Sequence, residues 1–125
     1  KGNVKDTVNN IYFIDIKIKN VALIFFDLDY FSSTNHAFNI FSKNMTKFLL
    51  PRVGLFFDNL HSSTEFSGEY LSIKQFNSKN KKDMKFITKD FYLEKFDNRF
   101  YQFLNFNHVD FNKNYNERHF LWKRY

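Results

Sequence analysis

Val21-Ala22-Leu23-Ile24-Phe25-Phe26-Asp27-Leu28-Asp29 is a run of six apolar residues that ends in two carboxylates one residue apart. A short apolar run bounded by turn signals reads as a buried strand of the kind found in parallel sheets. A second, weaker copy follows at Val53-Gly54-Leu55-Phe56-Phe57-Asp58-Asn59. Between the two, Ser33 or Thr34 is suited to cap a helix. Ala37, Phe38, Phe41, Met45, Phe48 and Leu49 then recur at spacings of three and four, which gives one apolar face. Pro51 is expected to stop that helix, because it lacks an N–H and clashes with the preceding turn. Strand, helix, strand in this order is a βαβ unit, whose crossover is right-handed and whose strands run parallel. Neighbouring strands lie roughly 4.8 Å apart. If these two are neighbours, Asp27 and Asp58 end at one height, within reach of a shared cation. Open α/β sheets bind ligands beyond the carboxyl ends of their strands, and both runs deliver their oxygens there.

Outward from this unit, residues 1–10 are polar, with Asp6-Thr7 suited to a turn or cap. Residues 11–18 are mixed and read as a loop or short helix. After Asn59, a loop with Ser62-Ser63-Thr64 leads to a second helix over 68–77, with Tyr70, Ile73 and Phe76 or Asn77 facing inward. Residues 77–83 form a polar turn. Segments 84–88 and 100–106 are strand candidates dense in aromatics, an antiparallel pair that closes the sheet. The stretch from 107 onward has no clear period. The expected fold class is α/β: the later half of a doubly wound, mainly parallel sheet of Rossmann-like type, with helices on its faces and an antiparallel C-terminal strand pair. Residues 1–125 make one partial domain.

Composition narrows the function. The chain has 125 residues, 43% of them hydrophobic, enough for a core in one domain. Its 19 Phe read as core filler in place of Leu. The formal net charge of +6 favours an anionic partner. Its Lys and Arg are scattered, however, which suits a solvated surface better than the stripe a nucleic-acid site needs. The chain has no Cys, which excludes disulfides and thiolate metal sites. No stretch is long and apolar enough to span a membrane, and no signal-peptide pattern is visible, so a cytoplasmic protein is expected.

Asp27-Leu28-Asp29 at a strand end admits several chemistries. Asp27 can hold a hard cation such as Mg²⁺, with Asp58 and Asn59 completing the site and Asp29 acting as base or further ligand. Such a cation lowers the pKa of a substrate hydroxyl. Alternatively, Asp27 is the nucleophile and Asp29 the acid/base of a haloacid-dehalogenase-like, metal-dependent phosphatase. That pattern wants small residues after the second Asp, where Tyr30 and Phe31 stand. The motif also resembles the DxD of nucleotide-sugar glycosyltransferases, which gives Asp58 and Asn59 no task. A purely structural role is helix capping, where carboxylates favour the dipole. The non-enzymatic alternative is a basic nucleic-acid-binding module.

In order and spacing, the first 80 or so residues resemble macrocin O-methyltransferase-like proteins. Gly2-Asn3-Val4-Lys5-Asp6-Thr7 resembles their "GxxxDT" segment. Asp27-Leu28-Asp29-Tyr30-Phe31-Ser32-Ser33-Thr34 resembles "DxDxYxST", with Phe31 at the expected Tyr. Pro51-Arg52-Val53-Gly54-Leu55-Phe56-Phe57-Asp58-Asn59 resembles "PxxGxxxxDD", with Asn59 for the final Asp. Catechol-type O-methyltransferases carry an Asp-Asn pair at the comparable position. Gly68 to Phe76 resembles the family's following "G…A…F" helix. The resemblance implies S-adenosylmethionine-dependent methyl transfer to a hydroxyl of a sugar-containing or other small metabolite. It makes Asp27, Asp58 and Asn59 ligands of Mg²⁺ or another divalent cation, and Asp29 the base. The family's glycine-rich cofactor loop has no counterpart here. The expected partners are therefore the hydroxylated substrate and a missing N-terminal half of the same domain, and this portion alone is expected to be inactive.

His61 follows the Asp58-Asn59 pair closely and is the candidate substrate contact. His36 reads as solvent-facing, His108 with Asp110 as a loop pair, and His119 as exposed. No Gly-x-Ser-x-Gly elbow accompanies Ser32 or Ser33. Trp122 and the aromatic-basic tail over 120–125 suit packing on the sheet better than base stacking.

Overall fold

The computed structural model describes residues 3–8 and 20–112. The segment 11–18, His119, Trp122 and the tail over 120–125 lie outside the described residues. The elements run α1 (Val4–Thr7), β1 (Val21–Phe26), α2 (Phe31–Ala37), β2 (Leu49–Phe57), α3 (Gly68–Asn80), β3 (Lys85–Lys89) and β4 (Phe100–Asn105), with single 3₁₀ turns between several of them. The four strands form one sheet in the order β1-β2-β4-β3.

β1 and β2 are neighbours and parallel, as the βαβ reading requires, with Phe26 opposite Phe57. β4 is antiparallel to both β2 and β3. The C-terminal antiparallel pair is thus present, but the sheet is mixed rather than mainly parallel. α3 carries the chain from β2 to β3, which runs in the same direction as β2 with β4 between them. The short connection from β3 to β4 can only return the chain antiparallel, since a parallel return needs a dozen or more residues.

Two expectations about the first helix give way. α2 begins at Phe31 with Tyr30 as its cap residue, so Ser33 and Thr34 lie inside the first turns. The Thr34 hydroxyl donates to the Tyr30 carbonyl at 3.1 Å. The α-helix also stops at Ala37 and tightens into a 3₁₀ turn over Phe38–Phe41. Ser, Thr, Asn and His in its sequence are weak helix formers. Pro51 does not end this helix. It lies within β2, where the register against β1 slips between Val21 and Leu23. A residue without an N–H is tolerated in a strand at such an irregularity.

The core lies between one face of the sheet and the helices. Alternate β2 residues Leu49, Val53, Leu55 and Phe57 point into it, with Phe26, Ile87, Tyr101 and Phe103 from the other strands. Phe38, Phe41, Ile73 and Phe76 cover them from the helical layer. Phe26 stacks on Phe57 with ring centres 4.9 Å apart, and Phe41 on Phe103 at 4.3 Å. Burying each such ring contributes up to about 3 kcal/mol. Phe26, Phe38, Phe41, Phe57, Phe76 and Phe103 thus fill the core, whereas Phe25, Phe66, Phe91 and Phe96 are exposed.

α2 and α3 pack together, and α1 packs on α2, so the described helices form one layer instead of covering both faces. On the opposite face Phe25, Phe56 and Phe100 form a row across three strands, with Phe25 66% exposed.

Candidate functional site at the strand ends

The site begins where β1 and β2 stop. The Asp58 N–H donates to the Phe26 carbonyl at 2.9 Å, which carries the ladder one residue past the strands. Asp27 and Asp58 therefore leave the sheet side by side. One residue further, Asn59 Nδ2 lies 3.4 Å from Asp27 Oδ1. The strand ends thus bring Asp27 and Asn59 together, with the amide donating to the carboxylate.

Asp58 has a partner that the sequence did not announce. Arg99 Nη1 donates to Asp58 Oδ1 at 3.0 Å. The same guanidinium grips Asp97, with Nη2 2.7 Å from Oδ2 and Nε 3.1 Å from both carboxylate oxygens. Its plane lies over the Phe56 ring at 4.6 Å. Hydrogen bonds from Arg99 hold the Asp97 carboxyl down at about 2. Asp29 is exposed in the segment between β1 and α2.

The residue missed from the sequence is Glu69. It is 0% exposed, and its carboxylate has no side-chain partner; the Asn59 backbone is the polar group it faces. Burial pushes it up from 4.5 to about 7; the Asn59 backbone opposes the rise, and the charges of Asp58, Asp27 and Asp29 add to it. α3 holds Glu69 in place locally. Gly68 opens the helix at φ 62, in the left-handed region that favours glycine. The Ser63 hydroxyl accepts from the Glu69 N–H at 3.0 Å. A signal existed: Glu69, Ser72, Ile73 and Phe76 keep helical spacing, and all four are buried. Tyr70, expected on that stripe, is 41% exposed.

His61 is exposed in the turn Leu60–Ser62. It lines a cavity of about 290 Å³ with Ser63, Tyr70, Lys89 and Tyr101. Burial raises the Tyr101 hydroxyl to about 12, so it stays a neutral donor. His36 is half-buried in α2. His108 Nδ1 accepts from the Asp110 N–H at 3.1 Å, a loop contact as expected.

Among the described residues no three His, Cys, Asp or Glu side chains converge tightly enough to enclose a metal ion. The hard donors that do meet are the exposed Asp27 carboxylate and the Asn59 amide, with Asp58 on the neighbouring strand end held by Arg99. Mg²⁺ is commonly held by one or two carboxylates while keeping several waters, and this set fits that mode. S-Adenosylmethionine fits less well. The described glycines are Gly54, inside β2, and Gly68, at the start of α3, so no glycine-rich turn follows a strand among the described residues.

No family model, curated protein or solved structure matches this chain. Among the described residues no helix is long and apolar enough to cross a membrane. A reading of function therefore rests on the strand-end geometry and the motif order.

Proposed function

We propose that this chain is the acceptor-activating portion of an S-adenosylmethionine-dependent, divalent-metal-assisted O-methyltransferase of the cytoplasm. Its substrate would be a hydroxyl of a sugar-containing or other small metabolite. The observation that carries the reading is the 3.4 Å approach of Asn59 to Asp27 at the ends of two adjacent parallel strands. In support stands the order of the "DxDxYxST" and "PxxGxxxxDD" resemblances along the chain.

Asp27, Asn59 and the free oxygen of Asp58 would hold the cation, with the Asn59 amide turned to present its oxygen. When bound, a divalent cation supplies Lewis acidity that eases ionisation of a substrate hydroxyl. Asp29, exposed beside Asp27, accepts the hydroxyl proton. His61, at the mouth of its cavity, contacts the substrate. Arg99 sets the charge of the site by compensating Asp58. The chain's contribution is chiefly positioning, which can supply about 7–11 kcal/mol of barrier reduction when geometry is well held. The described residues offer no glycine-rich cofactor loop, so the cofactor would be held by a glycine-loop half of a doubly wound domain.

Transfer of a tritiated methyl group from S-adenosylmethionine to phenolic and sugar hydroxyls, assayed with the chain joined to its glycine-loop half and with and without chelator, tests the reading. Transfer that needs Mg²⁺ and is lost in Asp27→Asn supports it. Tight binding of a magnesium-fluoride phosphate mimic, with no methyl transfer, would favour the phosphatase chemistry instead.

A further inference from the structure

We propose that a second cavity, between the start of β3 and the end of β4, binds a small hydroxylated molecule through its phosphate group. Lys85 and Asn105 are register partners there, one position past the pairing of Leu104 with Arg52. Phe100, at the other end of β4, pairs with Phe56 near the Asp58 end. Five residues of strand, roughly 17 Å, therefore separate this cavity from the strand-end acids, and it does not rest on methyl transfer. Lys85 and Asn105 share the core-facing alternation with Ile87 and Phe103, and they are 9% and 6% exposed. A lysine and an amide at inward strand positions break the apolar pattern, and such breaks concentrate at functional sites.

The two side chains are only partly satisfied. The Lys85 ammonium donates to the Phe41 carbonyl at 3.2 Å, which leaves two of its three N–H groups. None of the ion pairs among the described residues includes it, although buried charges are ordinarily paired. Asn105 Oδ1 is buried without a hydrogen-bond partner, an exception among buried side-chain oxygens. One group donates and the other accepts. Both line a cavity of about 330 Å³ with Lys43, Thr46, Asp83 and Asn107. That volume lies at the lower end of the roughly 300–1,000 Å³ of small-molecule sites. The wall is held by Asn107 Nδ2, which donates to the Asp83 carbonyl at 2.9 Å, and by the Phe106 N–H on the Met84 carbonyl at 3.1 Å. A phosphate oxygen accepts from Lys85, and Lys43 supplies a second positive charge for a doubly charged group. A hydroxyl of the same ligand donates to Asn105 Oδ1. Asp83 in the wall disfavours a bare, fully ionised anion and favours one that carries hydroxyls.

Titration of the chain with glycerol 3-phosphate, followed by calorimetry, tests this. The expected result is saturable binding that weakens tenfold or more in Lys85→Met, which loses a charge-assisted hydrogen bond, and is unchanged in Asp27→Asn. Inorganic phosphate and sulfate should both bind several-fold more weakly than the ester, because neither carries its carbinol hydroxyls. Absence of saturable binding, or binding unchanged in Lys85→Met, overturns the proposal. Inorganic phosphate that binds as tightly as the ester overturns the hydroxylated ligand, and glycerate that does so overturns the phosphate. If Lys85→Met does not fold, the unaltered chain decides. The Lys85 Cε carbon signal should then shift with the same midpoint as the heat of binding, and a stationary signal rejects the site.

Discussion

Arg99 donates to Asp58 across 3.0 Å, so one of the two strand-end carboxylates is already charge-compensated inside the chain. Asp27 has no such partner and meets the Asn59 amide instead. The two acids that the sequence presents as equals are therefore unequal in the fold. Asp27 and Asn59 form the open part of the site, and Asp58 is tuned by a residue 41 positions away.

Replacing Arg99 tests this inequality. Arg99→Gln removes the positive charge from both Asp58 and Asp97, and Mn²⁺ affinity is expected to rise several-fold. Asp97 should at the same time titrate back in the ordinary carboxylate range, as followed by carbon NMR. Its folded value is depressed, so its contribution is present above the unfolded value of 3.8 and is lost as pH falls through about 2. Affinity that falls in this variant would show that Arg99 builds the site rather than restraining it.

Glu69 makes stability fall as pH rises. Its folded value is raised from 4.5 to about 7, so the folded chain holds that proton more tightly than the unfolded one. The contribution is full below 4.5 and is lost as pH climbs through 7. Without divalent metal, urea unfolding should show a loss on the order of 1–3 kcal/mol between pH 5 and pH 8. Glu69→Gln should remove most of that slope. A metal-free chain that gains stability over the same interval contradicts the assignment.

Gly68→Ala should act on stability. Its φ of 62 is strained for alanine, and the added Cβ would stand 2.5 Å from the Ser63 hydroxyl. The left-handed conformation alone costs about 1–2 kcal/mol. Displacing Ser63 also removes the hydroxyl that accepts from the Glu69 N–H, so the unfolding midpoint should fall further. A variant as stable as the parent would mean that the turn relaxes without penalty.

The two faces of the sheet should respond differently to truncation. Phe103 is 0% exposed and stacked on Phe41, so Phe103→Ala should cost about 3–5 kcal/mol. Phe25 is 66% exposed on the opposite face, and Phe25→Ala should stay within roughly 0.5 kcal/mol. Denaturant melts of the two variants make the comparison. A large loss at Phe25 would show that this face is covered in solution.

Much of the βαβ unit was legible because its signals are local. The apolar runs before Asp27 and Asp58 specify strands, and a crossover of that length forces them parallel. Their parallel direction follows from those rules; that they are neighbours, which brings Asp27 to Asn59, is given by the structure. The helix between them was misjudged because apolar spacing continued to Leu49 while weak helix formers ended the regular turns at Ala37. Pro51 was read as a helix stop, whereas register slippage gives it a place in a strand. Arg99 was invisible because its partnership depends on β4 lying beside β2, a long-range pairing that no short window contains. Glu69 was passed over because an acid in a first helical turn ordinarily faces water. Its place on the buried stripe with Ile73 and Phe76 was the available clue.

The most direct measurement is an anomalous difference map from a crystal of this chain soaked in Mn²⁺. The account predicts one peak at the ends of β1 and β2, within about 2.0–2.3 Å of an Asp27 carboxylate oxygen and of the Asn59 amide oxygen. A well-ordered site with no peak between those two side chains, or with the manganese bound elsewhere, contradicts it.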